Sequence, residues 1–174
     1  MTMSFAPGMN VFPGGGVSKG DLASAAPFLA CAIRETNEEV DIAVPVCHLF
    51  DRWVTPEVED QRFDVSFFVA DTEEVGRLTT TDAVAMRWID PAEALHSHRD
   101  GFLPMLRPTV LILDALASGR VDGQPTAPPV PKLPRRRLDG RWDVVHAETN
   151  DVLVSGVAGP DRAESDGSSM TSEL

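Results

Sequence analysis

Cysteine is scarce in this chain of 174 residues: Cys31 and Cys47 are the two, far apart and without C-x-x-C spacing. A disulfide framework is therefore excluded, and both thiols read as small apolar residues of a protein in a reducing cytoplasm. Lysine is nearly as rare. Of 15 basic residues only Lys19 and Lys132 are lysine, against 27 acidic residues, for a net charge of −12. That balance excludes non-specific nucleic-acid binding and favours solubility. No apolar run approaches the ~20 residues of a membrane span. The opening MTMSFAPGMNVFPGGG has neither a basic n-region nor an apolar h-region, so no secretory leader is legible.

What is present suffices for an ordinary core: 43% hydrophobic and 24% charged residues, the make-up of a globular domain, here with a tail. Val11 and Phe12 read as the end of a strand, and Pro13 to Gly20 as a glycine-rich loop. From Leu22 to Val40 the pattern is helical, with Ala23, Ala26, Leu29, Ala30, Ile33 and Asn37 near one stripe, Asp21 as N-cap and Pro27 as a kink or a break. Strands are expected over His48 to Val54, Arg62 to Ala70 and Ala83 to Ile89, where apolar and β-branched residues cluster between turn signals. Trp53 and Trp88, inside two of these strands, read as core. Asp90 followed by Pro91 predicts a capped helix to His96, and Pro108 to Ala117 a second, ended near Gly119. Beyond Val121 prolines 125, 128, 129, 131 and 134 predict an extended segment. Trp142 to Val145 and Val152 to Val154 could form a hairpin, and the polar, acidic residues 159–174 read as disordered. The chain thus divides into a domain over 1–121, an extension over 122–158 and a tail.

The segment Arg34-Glu35-Thr36-Asn37-Glu38-Glu39-Val40 is the point of chemical interest. On a helix Glu35 shares a face with Glu38 and Glu39, and like charges at that spacing repel. They also stand at the helix C-terminus, where the macrodipole disfavours anions by about 0.3–1 kcal/mol each. Arg34 can pair with Glu38 at i,i+4, but one cation does not balance three anions. A divalent metal would.

With VFPGGGVSKGD ahead of it, AIRETNEEVDI resembles the signature of the Nudix hydrolases, G-x5-E-x7-R-E-U-x-E-E-x-G-U. The first glycine of that signature falls on Gly15, its next acid on Asp21, the paired residues on Arg34, Glu35, Glu38 and Glu39, and its last aliphatic position on Ile42. Twelve residues separate Asp21 from Arg34 instead of seven, and Asp41 stands where the family has glycine. The longer spacer is similar to the branch that includes peroxisomal coenzyme A diphosphatases and actinobacterial relatives. Phe5 to Met9, Arg52 to Glu57, Arg62 to Asp64 with Phe67 to Ala70, and Met105 to Thr109 extend the likeness over roughly residues 4–120.

The resemblance implies an α+β fold, an α/β/α sandwich around a mixed sheet, and Mg²⁺- or Mn²⁺-dependent hydrolysis of a diphosphate bond in a nucleoside diphosphate joined to another group. Coenzyme A or an acyl derivative is the substrate class the branch suggests, with compounds like ADP-ribose or NADH behind it. The expected metal ligands are Glu35, Glu38, Glu39 and the Gly15 carbonyl, with oxygen donors suited to a hard cation. Arg34 would hold the glutamates, and Glu35 would take the proton from water, with Glu57, Glu59, Glu73 and Glu74 as alternatives. The expected partner is a small nucleoside diphosphate derivative, not nucleic acid or membrane, with a homodimer left open. With 11 residues ahead of Phe12, the resemblance further implies a domain lacking its first strand, and hence a rival reading as a vestigial binding protein. Of the weaker signals, His96 and His98 read as a surface pair at a helix end, and Arg135, Arg136, Arg137 and Arg141 as a solvated basic loop or a partner contact.

Overall fold

The computed structural model describes residues 8–55, 62–119, 132–136, 142–146 and 152–157. The chain runs from the glycine loop through a single 3-10 turn, Asp21–Ala23, into helix α1, Pro27–Val40. Strands β1, His48–Val54, and β2, Asp64–Val69, follow, then helices α2, Pro91–Arg99, and α3, Arg107–Ala117. Strands β3, Lys132–Arg136, β4, Trp142–His146, and β5, Val152–Val157, complete the described elements. The α+β class expected from the sequence holds.

Pro27 settles the kink-or-break alternative as a break. It occupies the first turn of α1, where its missing N–H costs nothing. Ala23 and Ala26 consequently lie outside the helix, its fully buried residues are Cys31 and Val40, and Asn37 of the expected stripe is exposed. Asp21 is no N-cap of α1. It opens the 3-10 turn and exchanges hydrogen bonds with Ser18, whose N–H donates to Asp21 Oδ2 at 2.7 Å. Asp90 is the cap foreseen for α2, accepting from Ala92 N at 2.8 Å and Glu93 N at 3.2 Å, and α2 runs three residues beyond His96.

The strands lie in the order β2-β1-β3-β4-β5. β1 and β2 are antiparallel from His48↔Val69 to Val54↔Asp64, with an irregularity at Phe50. β3 joins β1 in parallel through the single pair Trp53↔Lys132, and β3, β4 and β5 form an antiparallel meander. The foreseen hairpin therefore exists as β4–β5, with β3 linking it to β1. Buried Asp51 ties that joint: its carboxylate accepts from Trp53 Nε1 at 3.0 Å, from Arg52 N and from Lys132 Nζ, whose charge sits 5.8 Å from the Trp53 ring centroid. Trp53 is core, as expected. The proline-rich run before Lys132 and the tail over 159–174 lie outside the described residues.

Two expected strands are absent. Val11 and Phe12 are irregular, although Asn10 bridges to Met105 and donates to Pro104 O at 2.8 Å. Ala83 to Ile89 forms no ladder, and Trp88 is 61% exposed, its indole N–H donating to Val75 O at 2.7 Å. The strand propensity there is real, but propensity describes fit to a neighbouring strand and a half-buried face. Among the described residues no strand lies alongside. Among the described residues the buried core cluster is small and is built from α2, α3 and the segment joining them: Ala94, Leu103, Met105 and Leu113, with Ile89, Leu95, Val110 and Leu116 packed against them.

The glycine loop is positioned by packing as well. Phe12 stands edge-on to Phe67 of β2 with ring centroids 6.3 Å apart, which fixes the chain entering Pro13 to Gly16. At the other end of α1, Gly76 has φ +68° and backs onto Ile42 and the Val40 carbonyl, both 2.6 Å from where a Cβ would stand. Gly101 has a similar φ of +79° with open space around it. Gly76→Ala should therefore cost about 2–4 kcal/mol in urea unfolding, and Gly101→Ala only about 1 kcal/mol. Equal losses would show that the Gly76 contact is unimportant.

Candidate active site

Arg34 organises the first turn of the site. Its Nη2 donates to Asp21 Oδ2 at 2.9 Å and to the Gly16 carbonyl at 3.2 Å, and its Nε to Asp21 Oδ1 at 3.2 Å. Its Nη1 meets two carboxylates at once, Glu35 Oε1 at 2.8 Å and Glu38 Oε2 at 2.9 Å. The planar fork of a guanidinium makes this possible, since a lysine has no geometry for a side-on carboxylate. The Asp21 side chain is only 6% exposed. Its hydrogen bonds from Arg34, then from the Ser18 N–H, hold its carboxyl far below the usual carboxylate range, and Asp21 in turn raises Arg34 further.

The glycine loop lies directly on this turn. A Cβ at Gly15 would stand 2.3 Å from Glu35 Oε1, so only glycine fits there. The Gly14 N–H donates to Glu39 Oε2 at 3.0 Å, and the buried Cys31 thiol lies 3.5 Å from the Gly15 carbonyl. Burial raises the Cys31 pKa, which keeps the thiol protonated. Glu39 also titrates above the ordinary glutamate value. Burial is the main cause, with Glu35, Asp82 and Glu38 adding repulsion against the stabilising Gly14 bond.

Glu35, Glu38 and Glu39 thus stand on one turn, as the spacing predicts. Among the described residues no three His, Cys, Asp or Glu side chains converge as a finished metal site. The donor chemistry nevertheless fits a hard divalent cation: carboxylate oxygens from two residues already meet at one cationic nitrogen, and a third, partly desolvated carboxylate stands beside them with no ion pair among the described residues.

The other residues singled out in the sequence fall elsewhere. Glu74 Oε2 accepts from Ala43 N at 3.0 Å and lines, with Ile33, Arg34, Asn37, Ala43, Val44 and Pro45, an open groove of about 550 Å³ beside α1. Glu73 lines an adjoining groove with Asp71 and Thr72. Glu57 and Glu59 lie outside the described residues, as do Arg137 and Arg141, whereas Arg135 and Arg136, expected in a loop, belong to β3 and pair with Asp143 and Trp142 of β4. His98 Nδ1 is 2.9 Å from Leu103 O and His96 pairs with Asp100 at 3.3 Å, so the two imidazoles serve the end of α2. Asp82, which sequence reasoning passed over, does belong near the site, because its charge acts on Glu39. Nothing in the local pattern marks it; its placement depends on how residues 76–82 return to α1.

The family model described as NUDIX domain matches residues 3–107, more than half of the chain. The protein belongs to the Nudix family. No curated protein and no solved structure matches it. Nudix enzymes hydrolyse nucleoside diphosphate derivatives and generally use divalent metals, and no helix among the described residues is long and apolar enough to cross a membrane. Both departures from the Nudix signature find a place in the geometry. The extra residues between Asp21 and Arg34 are taken up by the 3-10 turn and the bend over residues 24–26, outside α1, so Asp21 still reaches Arg34. Asp41 adopts φ 53° and ψ 44°, the left-handed conformation that glycine would supply, and its carboxylate accepts from Arg77 Nε at 2.7 Å.

Because the Asp21 pKa is depressed in the folded state, its stabilisation is complete above the ordinary aspartate value near 4 and is lost as pH falls toward the folded value. Asp21→Asn should lower Tm at pH 7 and flatten the loss of stability between about pH 4 and pH 2. An unchanged acid limb in a thermal-melt series would refute the role of this pair.

Proposed function

We propose that this chain hydrolyses a diphosphate bond in a nucleoside diphosphate linked to another moiety, on the layered α/β/α scaffold of its family and with Mg²⁺ or Mn²⁺ as cofactor. The observation that carries the reading is the meeting of Glu35 and Glu38 oxygens on one nitrogen, beside Glu39 and beneath a loop that admits only glycine at position 15. Coenzyme A or an acyl derivative is the substrate class, on the strength of the likeness over the inserted spacer.

Glu35, Glu38, Glu39 and the Gly15 carbonyl would hold the metal. When bound, it supplies charge neutralisation at the diphosphate and lowers the pKa of a water. The chain does the rest. Gly14 to Gly16 let the diphosphate approach the backbone closely. Arg34, anchored on Asp21 and Gly16, keeps Glu35 and Glu38 on the same side of α1 as Glu39. Glu35 takes the proton of the attacking water, and its contact with Arg34 at 2.8 Å fixes the position of its carboxylate. Glu74, which lines the same groove as Arg34, is the loop alternative.

A second reading, ligand binding without turnover, rests on Arg34 Nη1 itself. That nitrogen already balances two of the three carboxylates and would have to yield one to the metal. Incubation with a panel of diphosphates and Mg²⁺ or Mn²⁺ separates the two. Product release supports the hydrolase, and calorimetric binding without product supports the alternative.

Glu39→Gln should cut turnover by about two orders of magnitude or more. It should also stabilise the metal-free protein near neutral pH. A carboxyl whose folded pKa is raised loses stability as pH rises through that value, and the amide carries no charge to desolvate. Full activity in this variant would sink the site, and a lower metal-free Tm would sink the account of the Glu39 environment.

A further inference from the structure

We infer that Thr79 is a positioning residue for the metal-binding turn, holding the Glu38 and Glu39 backbone from the side opposite the glycine loop. The last four carbonyls of a helix have no partner within it. In α1 every one is satisfied. Asn37 O accepts from Asp41 N at 3.0 Å, Glu39 O from Thr79 N at 2.9 Å and Val40 O from Arg77 N at 2.8 Å, while Glu38 O accepts from the Thr79 hydroxyl. Three of these donors come from one short strap, Gly76 to Thr79, and Thr79 supplies two of them, to the carbonyls of the two adjacent glutamates.

The strap is held in place at both ends of this contact. Gly76, with φ +68°, presses on Ile42 and the Val40 carbonyl without room for a Cβ, and Arg77 forks back to Asp41 at 2.7 Å. Trp88 Nε1 donates to Val75 O, just before the glycine. The chain then leaves Thr79 toward Asp82, whose N–H donates to Thr80 Oγ1 at 3.1 Å and whose charge acts on Glu39. Thr79 is itself exposed, so removing its hydroxyl opens no cavity. Its effect falls on the carbonyls of Glu38 and Glu39, and through the backbone on the direction of those two side chains.

This inference rests on the proposed metal site. If a cation is gripped by Glu38 and Glu39, the turn that carries them is ordered, and the hydrogen bonds made by that turn to the strap are strengthened with it. Coupling of this kind is reciprocal: whatever weakens the strap weakens the metal.

The test uses Mn²⁺ alone, without substrate, and the full chain. Calorimetry should show Mn²⁺ binding weakened roughly 3- to 10-fold in Thr79→Val, the scale of one hydrogen bond. Thr79→Ser, which keeps the hydroxyl, should restore it. Hydrogen exchange should show added protection of the Arg77 and Thr79 amides on Mn²⁺ binding to the wild type, and less in Thr79→Val. Wild-type affinity in Thr79→Val, or failure of Thr79→Ser to rescue, overturns the positioning role. If the wild type binds no Mn²⁺, or binds it equally in Glu39→Gln, the metal-site reading itself has failed, and the result is told apart from failure of the strap alone.

Discussion

The contact between Arg34 and Asp21 is the constraint on which the site depends. The guanidinium spans three things that the sequence keeps apart: a buried carboxylate in a 3-10 turn, the Gly16 carbonyl of the glycine loop, and the Glu35 and Glu38 carboxylates of α1. Removing Asp21 leaves Arg34 to solvent and the two glutamates. Removing Arg34 leaves a buried, uncompensated carboxylate, the costlier error. The loop cannot then lie against Glu35 at the distance that makes Gly15 obligatory.

The negative charge of the turn is the second theme. Glu35 and Glu38 are balanced by Arg34, whereas Glu39 has one backbone N–H and three repelling neighbours, Glu35, Asp82 and Glu38. Such an arrangement is a local cost to folding that the proposed cation would offset, in keeping with functional sites holding groups that stability alone would not select. The strap from Gly76 offsets part of that cost by satisfying the helix carbonyls nearest the anions, where the macrodipole is least favourable to them.

Much of this was legible in the sequence because it is local. The span of β1, the Asp90–Pro91 start of α2 and the shared face of Glu35, Glu38 and Glu39 follow from periodicity, capping and spacing. The Asp21-to-Arg34 pair was not legible: Asp21 read as an N-cap and as a position of the family signature, and thirteen positions and a helix break separate it from Arg34. What escaped was set by long-range contacts. Ala83 to Ile89 has strand-forming residues but no adjoining strand among the described residues, and Trp88 followed it to the surface. Asp82 and Thr79 carry no motif. They matter because residues 76–79 fold back onto a helix end about forty positions earlier, and that return depends on a left-handed glycine whose role no local pattern announces.

The central claim is that Glu35, Glu38 and Glu39, arranged by Arg34, form the metal site of a Nudix enzyme. Anomalous diffraction from crystals soaked in Mn²⁺ tests it most directly. The account predicts one strong peak within coordination distance of those carboxylates and the Gly15 carbonyl, with Arg34 Nη1 withdrawn from at least one glutamate and its bond to Asp21 intact. No peak at this turn at millimolar Mn²⁺, with Arg34 still holding both Glu35 and Glu38, would contradict it.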